Sequence, residues 1–186
     1  MSKYYQLAIG ADEKAWHLAI RDVFADGTPV DIWAYRGCRR LRNPKPVPFA
    51  IQVDGDRIDY YPSAFCTTVV SRRLADLWGR LAGDDIQRIP ALVEGDSGEW
   101  EVINIVRCID CIDHTRSKIT YYPDNHPETP GKPRGVLRLI LDADRIGRHH
   151  IFQPTDWEVV TVVSELMKRA MEEMGATGVD YWPVTE

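Results

Sequence analysis

Apolar residues recur at the spacing of one helix face in two stretches of the chain. The first stretch, residues 72–82, carries them at positions i, i+3, i+4 and i+7, namely Leu74, Leu77, Trp78 and Leu81. The second, residues 165–174, carries a similar set, namely Leu166, Met167, Ala170, Met171 and Met174. These patterns predict two amphipathic helices that each bury one face in a core.

Both predicted helices belong to a unit that occurs twice. A Thr-Val-Val-Ser run precedes each helix, beginning at Thr68 and at Thr161, and a proline follows each helix, at Pro90 and at Pro183. The two runs and the two prolines are separated by the same 93 residues. One offset shared by both ends of the unit predicts an internal repeat.

The repeat also contains the residue types that begin and end helices. Ser71 and Ser164 come directly before the helices, where a serine hydroxyl can accept a hydrogen bond from a free backbone amide. Gly83 and Gly175 follow the helices, where glycine can adopt the left-handed conformation that ends them. Each unit is therefore predicted to be a β-strand, a helix and a β-strand, and the units cover approximately residues 58–94 and 151–186.

Strand-like runs account for much of the remaining chain. β-Branched and aromatic residues predict strands at 3–10, 29–35, 100–112, 117–122 and 136–141. Residues 14–20 fit either a short helix or a strand. Residues 49–60 resemble a hairpin, with Asp54-Gly55 in a type I′ turn.

These elements predict a single α+β domain over residues 1–186. Its sheet is expected to be mixed or largely antiparallel, with two main helices from the β-α-β repeat. Alternatively, the two halves form related lobes that share the strand at 100–112, whose apolar residues indicate a covered, central position.

Composition and charge narrow the range of partners. The 186 residues are 44% hydrophobic and 27% charged, as in ordinary soluble proteins. The net charge of −5 disfavours a nucleic-acid partner and favours a basic protein. No apolar run approaches the roughly 20 residues that span a membrane, and the first residues lack the pattern of a secretory signal. We therefore expect a cytoplasmic protein that binds neither nucleic acid nor membrane.

The four cysteines match neither a disulfide scaffold nor a complete metal site. Cys108 and Cys111 form a CxxC pair, but zinc needs four ligands, and residues three apart on a strand point to opposite faces. Cys38 and Cys66 stand alone. We expect reduced, buried cysteines that behave as small hydrophobic residues, with no metal and no cofactor.

Polar residues after the 100–112 strand offer an enzymatic alternative. Asp110, Asp113 and His114 can supply the carboxylates and imidazole of a small hydrolase or nuclease, although the same residues suit an ordinary turn. No common catalytic motif occurs, so we expect a protein that is not an enzyme. A second polar group suits a solvated loop better than a metal site, and it comprises Asp142, Asp144, His149 and His150.

Charged segments supply the candidate partner-binding residues. Arg72 and Arg73 lie in the first turn of the first helix, where the helix dipole disfavours cations, so they are expected to pair with nearby carboxylates or to meet a partner. Three acidic tips can steer a basic partner, which Trp100 can anchor. One tip contains Asp54 and Asp56 with Asp59, another contains Asp84 and Asp85, and the third contains Glu94, Asp96, Glu99 and Glu101.

Five segments between residues 50 and 184 carry a family resemblance: 68–74, 102–106, 113–117, 139–152 and 163–179. Together they resemble a bacterial immunity-protein family that was first catalogued as a domain of unknown function. That family is assigned to polymorphic-toxin systems, which often deliver nuclease toxins in contact-dependent kin discrimination. The matching motifs are structural, so no active site is carried over.

The resemblance implies a cytoplasmic inhibitor that binds the C-terminal domain of a cognate toxin. An acidic face of the inhibitor is then expected to cover the basic active site of the toxin. A regulatory module that binds an unrelated protein is the other non-enzymatic alternative. The oligomeric state is left open by the sequence.

Overall fold

The computed structural model describes residues 2–10, 14–63 and 67–185. Its helices are α1 (Arg72–Ala82), α2 (Ala143–Ile146) and α3 (Glu165–Glu173). Its strands are β1 (Tyr4–Ile9), β2 (His17–Ile20), β3 (Val47–Val53), β4 (Tyr60–Pro62), β5 (Thr68–Ser71), β6 (Ile86–Val93), β7 (Trp100–Ile105), β8 (Cys108–Ile109), β9 (Lys118–Tyr121), β10 (Pro133–Arg138), β11 (Ile151–Pro154), β12 (Val162–Ser164) and β13 (Val179–Pro183). The predicted α+β class is confirmed, with α1 and α3 as the two main helices.

The strands form two sheets and a two-stranded ribbon. The first sheet has the order β2-β3-β6-β7-β5-β4, and the second has the order β13-β1-β12-β11-β8. The ribbon consists of β9 and β10. Neighbouring strands are antiparallel except for β3 with β6 and β8 with β11. The arrangement is therefore mixed and largely antiparallel, as predicted.

The two strand–helix–strand units have the same topology. In the first sheet, β5 and β6 lie on either side of β7 and run antiparallel to it. In the second sheet, β12 and β13 lie on either side of β1 in the same way. Each sheet therefore has its own central strand. The alternative of two lobes that share one central strand is wrong.

Serine caps and glycine stops bound both main helices. Ser71 Oγ accepts a hydrogen bond from the Leu74 amide at 3.4 Å, and Ser164 Oγ accepts one from the Met167 amide at 3.2 Å. Gly83 and Gly175 follow the helices with φ angles of 53° and 67°. The start and stop signals in the sequence are therefore confirmed.

The two main helices pack against each other in a core that both sheets share. Trp78 of α1 and Met171 of α3 are fully buried there, together with Val70 from the first sheet and Val163 from the second. A second apolar cluster covers the other face of the first sheet, and a third covers part of the outer face of the second sheet. Among the described residues, no helix combines the length and apolar character needed to cross a membrane.

The strand predicted at 29–35 is wrong. Residues Ile32–Tyr35 form a short 3₁₀ helix instead. The Asp31 carboxylate accepts a hydrogen bond from the Trp33 amide at 3.0 Å. Such a local bond satisfies the backbone without a sheet partner, and it competes with strand formation. Residues 14–20, which fitted a helix or a strand, contain β2.

The hairpin predicted at 49–60 is also wrong. Strand β3 pairs with β2 and β6, while the chain after it leads to β4, which pairs with β5. Gly55 does not have a positive φ. A Cβ atom on Gly55 would lie 2.2 Å from the Lys14 carbonyl oxygen, so the glycine allows the segment before β2 to cross closely.

The strand predicted at 100–112 divides into two pieces in different sheets. Strand β7 ends at Ile105, and β8 begins at Cys108 beside β11. The Val106 amide donates to the Asp85 carbonyl, which holds the bend between the two pieces. Cys108 forms a disulfide with Cys38, and their Cα atoms are 5.5 Å apart. The expectation of reduced cysteines is therefore wrong for this pair, whereas Cys111 is a free, buried thiol as expected.

Candidate functional site

Two of the three predicted acidic tips meet at one end of the first sheet. The turn between β6 and β7 lies against the turn after β3, and Arg57 joins them. Its guanidinium contacts the Asp54 carboxylate, and its Nε atom donates to Asp96 Oδ2 at 2.9 Å. The carboxylates of this region, which we call the acidic end, are Asp54, Asp56, Glu94, Asp96 and Glu99.

The outermost carboxylates of the acidic end remain accessible to a partner. Glu94 contacts Arg21, and Glu99 lies 4.0 Å from Arg72, but their side chains are still 68% and 75% exposed. Exposed pairs of this kind are weak because water screens them. A cationic partner can therefore replace these contacts at little cost.

Asp96 and Trp100 build the turn of the acidic end. Trp100 Nε1 donates to Asp96 Oδ1 at 2.9 Å, and the Gly98 amide donates to the same oxygen at 2.8 Å. The bond from Trp100 and the pairing with Arg57 lower the pKa of Asp96. Trp100 packs on Trp16 with 4.6 Å between the ring centroids and is buried. Trp100 is therefore a core residue, and its burial does not fit the role of an aromatic anchor for a partner.

A shallow apolar hollow adjoins the acidic end. Pro48 of β3 lies beside Leu92 of β6, and Leu92 is 52% exposed. Together with Arg21, Glu94 and Asp96, these residues line a hollow of about 330 Å³. An apolar floor within a charged rim is the usual arrangement of a protein-binding surface.

Arg73, a predicted partner-binding residue, joins the two repeat units. Its Nε atom donates to Asp59 Oδ1 at 2.6 Å, and its guanidinium also donates to the carbonyls of Met174 and Gly175 at the end of α3. Asp59 further accepts bonds from Ser71 Oγ at 2.6 Å and from the Thr177 amide at 3.0 Å. The arginine thus pairs with a carboxylate of its own chain.

The environment of Asp59 holds it in the charged form. Burial alone would raise the pKa of Asp59, but the hydrogen bonds from Arg73, Ser71 and Thr177 outweigh it and lower the pKa to about 2. Asp59 therefore connects the first unit to the loop before β13. The sequence predicts Asp59 in the same acidic tip as Asp54 and Asp56, but the structure buries it against Arg73 instead.

Arg72, the other predicted arginine, belongs to a surface network beside α1. Its Nε atom lies 3.3 Å from Asp76 and 3.4 Å from Glu101. Arg88 contacts the same two carboxylates at 2.7 Å and 2.6 Å. The network compensates for the unfavourable position of Arg72 at the helix start, and about half of the Arg72 side chain stays exposed.

The third acidic tip lies at the opposite end of β6. Asp84 is exposed, with its carboxylate 3.9 Å from Arg40. Asp85 is buried and contacts Arg107 at 2.8 Å and His149 at 2.7 Å. Burial would raise the pKa of Asp85, but the bonds to His149 and Arg107 lower it. The structure therefore separates this tip from the acidic end.

The residues proposed for the enzymatic alternative lie in and around a turn. Asp113 accepts bonds from the amides of Thr115 and Arg116 and pairs with the Arg116 side chain at 2.7 Å. These contacts lower the pKa of Asp113, whereas a general base needs a pKa near the working pH. His114 Nδ1 lies 2.9 Å from the Tyr121 hydroxyl on the ribbon. The turn predicted at 113–116 is confirmed.

The second polar group does not converge on one point. Asp142 caps α2, His149 contacts Asp85, and His150 Nδ1 lies 2.9 Å from Ser164 Oγ. Within residues 2–10, 14–63 and 67–185, no three histidine, cysteine, aspartate or glutamate side chains are arranged to hold a metal ion. Cys66 lies outside the described residues.

Comparison with known protein families agrees with the features described above. A family model described as Immunity protein family (Imm11) matches residues 4–186. No curated protein matches the chain. The match extends beyond the residues that carry the resemblance and includes β1, which completes the second sheet. Because the model covers both repeat units and nearly the whole chain, the protein belongs to the Imm11 family of immunity proteins.

Proposed function

We propose that this immunity protein neutralises a cognate toxin by binding the C-terminal domain of the toxin one to one in the cytoplasm. The acidic end covers the cationic active site and excludes the substrate. A nuclease is the favoured toxin class, because a cleft that binds phosphate groups must be basic. The protein acts by binding, with no catalytic residue and no cofactor.

The observation that carries this proposal is the convergence of two acidic tips around Arg57 beside the exposed Leu92. Glu94 and Glu99 stay open to solvent there. The excess of carboxylates at the acidic end speeds encounter with a basic partner, and the apolar hollow supplies area that can be removed from water. A stable complex of this type buries about 1,200–2,000 Å² in total.

Co-expression tests the proposal. The toxin encoded beside this chain is produced in bacteria with the wild-type chain, with an unrelated acidic protein, or alone. We expect growth only with the wild-type chain, and a one-to-one complex with the C-terminal domain of the toxin on purification. A chain that neither rescues growth nor co-purifies with that domain contradicts the proposal.

The enzymatic alternative predicts a different outcome. If Asp110, Asp113 and His114 were catalytic, His114→Ala would abolish protection while leaving the complex intact. The binding proposal predicts that His114→Ala protects cells as well as the wild-type chain. The engagement of Asp113 with Arg116 supports the binding proposal.

A further inference from the structure

The last strand of the second repeat unit lies at an edge of its sheet, whereas the last strand of the first unit lies inside its sheet. Strand β13 is the last strand of its sheet, whereas its counterpart β6 has β3 beside it. Trp182 of β13 corresponds to Ile89 of β6 under the offset of 93 residues. Ile89 is fully buried, whereas Trp182 is 58% exposed. The equivalent position is therefore buried in the first repeat unit and exposed in the second.

The backbone of β13 has hydrogen-bonding groups directed away from its own sheet. Gly10 and Val184 mark the bonded pairs, because the Gly10 amide donates to the Gly178 carbonyl and the Val184 amide donates to the Tyr4 carbonyl. Bonded and non-bonded pairs alternate along an antiparallel ladder. The amides and carbonyls of Val179 and Tyr181 therefore point to the open edge.

The open edge is continuous with the acidic end. Gly178, directly before β13, lies against Ile58, which follows Arg57 of the acidic end. The Thr177 carbonyl also accepts a hydrogen bond from the Tyr60 amide at 3.1 Å. Asp180 lies on the same face of β13 as Trp182 and extends the negative charge along the edge. One partner can cover both surfaces.

We propose that the edge of β13 binds an extended segment of the toxin domain that carries a lysine or arginine side chain. The segment pairs with the outward backbone groups of Val179 and Tyr181. Its cationic side chain lies over the Trp182 ring and beside the Asp180 carboxylate, because aromatic faces and carboxylates both attract cations. The inference rests on the proposed function and adds a second contact to it.

Hydrogen exchange and affinity measurements on the complex with the adjacent toxin domain test this site. We expect the amides of Val179 and Tyr181 to exchange rapidly in the free protein and to become protected in the complex. Trp182→Ala should weaken binding about tenfold or more, as is usual for a central aromatic contact. Val179→Pro removes one outward amide and should weaken binding as well, with folding checked by its thermal midpoint.

Trp33→Ala is the matched control, because Trp33 is a similarly exposed tryptophan shortly before Cys38, which is joined to β8 at the opposite edge of the second sheet. It should bind the toxin domain as the wild-type chain does. If the wild-type chain binds the toxin domain, but Trp182→Ala binds it equally well and the two amides stay unprotected, the site is overturned and the proposed function stands. A wild-type chain that does not bind the toxin domain overturns both. Protection of the edge amides in the absence of toxin, with a dimer in solution, assigns the edge to a second copy of this chain and overturns the toxin segment.

Discussion

Trp78 and Met171 occupy the same position in the two repeat units and contact each other. They are 93 residues apart, and the indole Nε1 atom lies 3.3 Å from the methionine sulfur. Both side chains are fully buried. The two units therefore pack together through equivalent residues at the contact between α1 and α3.

Met171→Ala should destabilise the protein by about 2–4 kcal/mol, because it leaves a cavity beside Trp78. Met171→Leu keeps the volume and should cost less than about 1.5 kcal/mol. Urea unfolding measures both. Leu166→Ala on the exposed face of α3 is the control and should change stability by no more than about 0.5 kcal/mol. Equal losses for Met171→Ala and Leu166→Ala would contradict a shared core at this contact.

The Asp59–Arg73 pair should make the free energy of unfolding depend on pH in the acidic range. The pKa of Asp59 is lowered from 3.8 to about 2 in the folded protein. The contribution of Asp59 to the free energy of unfolding is therefore complete above its pKa in the unfolded chain. It is lost as the pH falls through its pKa in the folded protein, between about pH 4 and pH 2. Asp59→Asn should cost about 2 kcal/mol at neutral pH and flatten the pH dependence in that window.

A double-mutant cycle separates this pair from general acid sensitivity. Arg73→Gln should destabilise the wild-type chain but have a much smaller effect in the Asp59→Asn background. Urea midpoints between pH 2 and pH 7 supply all four corners of the cycle. Strictly additive losses would mean that the two side chains do not stabilise each other.

The Cys38–Cys108 disulfide should stabilise the protein by about 2–4 kcal/mol, because it closes a long loop of the unfolded chain. A reductant should lower the urea midpoint of the wild-type chain and leave that of the Cys38→Ser, Cys108→Ser double variant unchanged. In the proposed cytoplasmic setting, where thiols are kept reduced, the reduced form is the relevant one. A midpoint of the wild-type chain that is insensitive to reductant contradicts this prediction.

Cys111 should be inert in the folded protein. Burial raises the pKa of the Cys111 thiol to about 12, with a further contribution from Asp110. The thiolate that reacts with iodoacetamide is therefore scarce, and access to it is blocked. In a Cys66→Ser background without reductant, labelling of Cys111 should require denaturant. Rapid labelling under native conditions would show that the core around β8 opens readily.

Charge at the acidic end should control the rate of toxin binding. Glu94→Lys with Glu99→Lys should slow association about tenfold at low salt, with a smaller effect at high salt, because exposed charges act through screened steering. Stopped-flow fluorescence at two ionic strengths measures the rates. Asp84→Lys, at the opposite end of β6, is the matched control, and an equal effect of that variant would remove the acidic end from the binding surface.

Features set by neighbours in sequence could be predicted. Ser71 and Ser164 cap their helices because the cap needs only the next three residues. The common offset of 93 residues predicts two similar units without an alignment, and each of the two sheets contains one of them.

Features set by distant partners could not be predicted. Trp100 looks like an exposed anchor within an acidic turn, but Trp16, far away in sequence, covers it. Asp54-Gly55 has the composition of a hairpin turn, yet the close crossing at Lys14 decides its conformation. Cys38 and Cys108 are 70 residues apart in sequence, and only the tertiary fold brings them together. Local patterns contain no information about which segment will lie opposite.

The position of β1 between β12 and β13 has a consequence for the order in which the two sheets form during synthesis. Strand β1 is synthesised before both of its sheet neighbours, β12 and β13, which lie beyond residue 160. Strands β2 to β7 all have their partners within residues 17–105 and can assemble early. Strand β1 must therefore wait for partners that are synthesised much later, and completion of the second sheet is expected to lag behind translation by the time this closure takes.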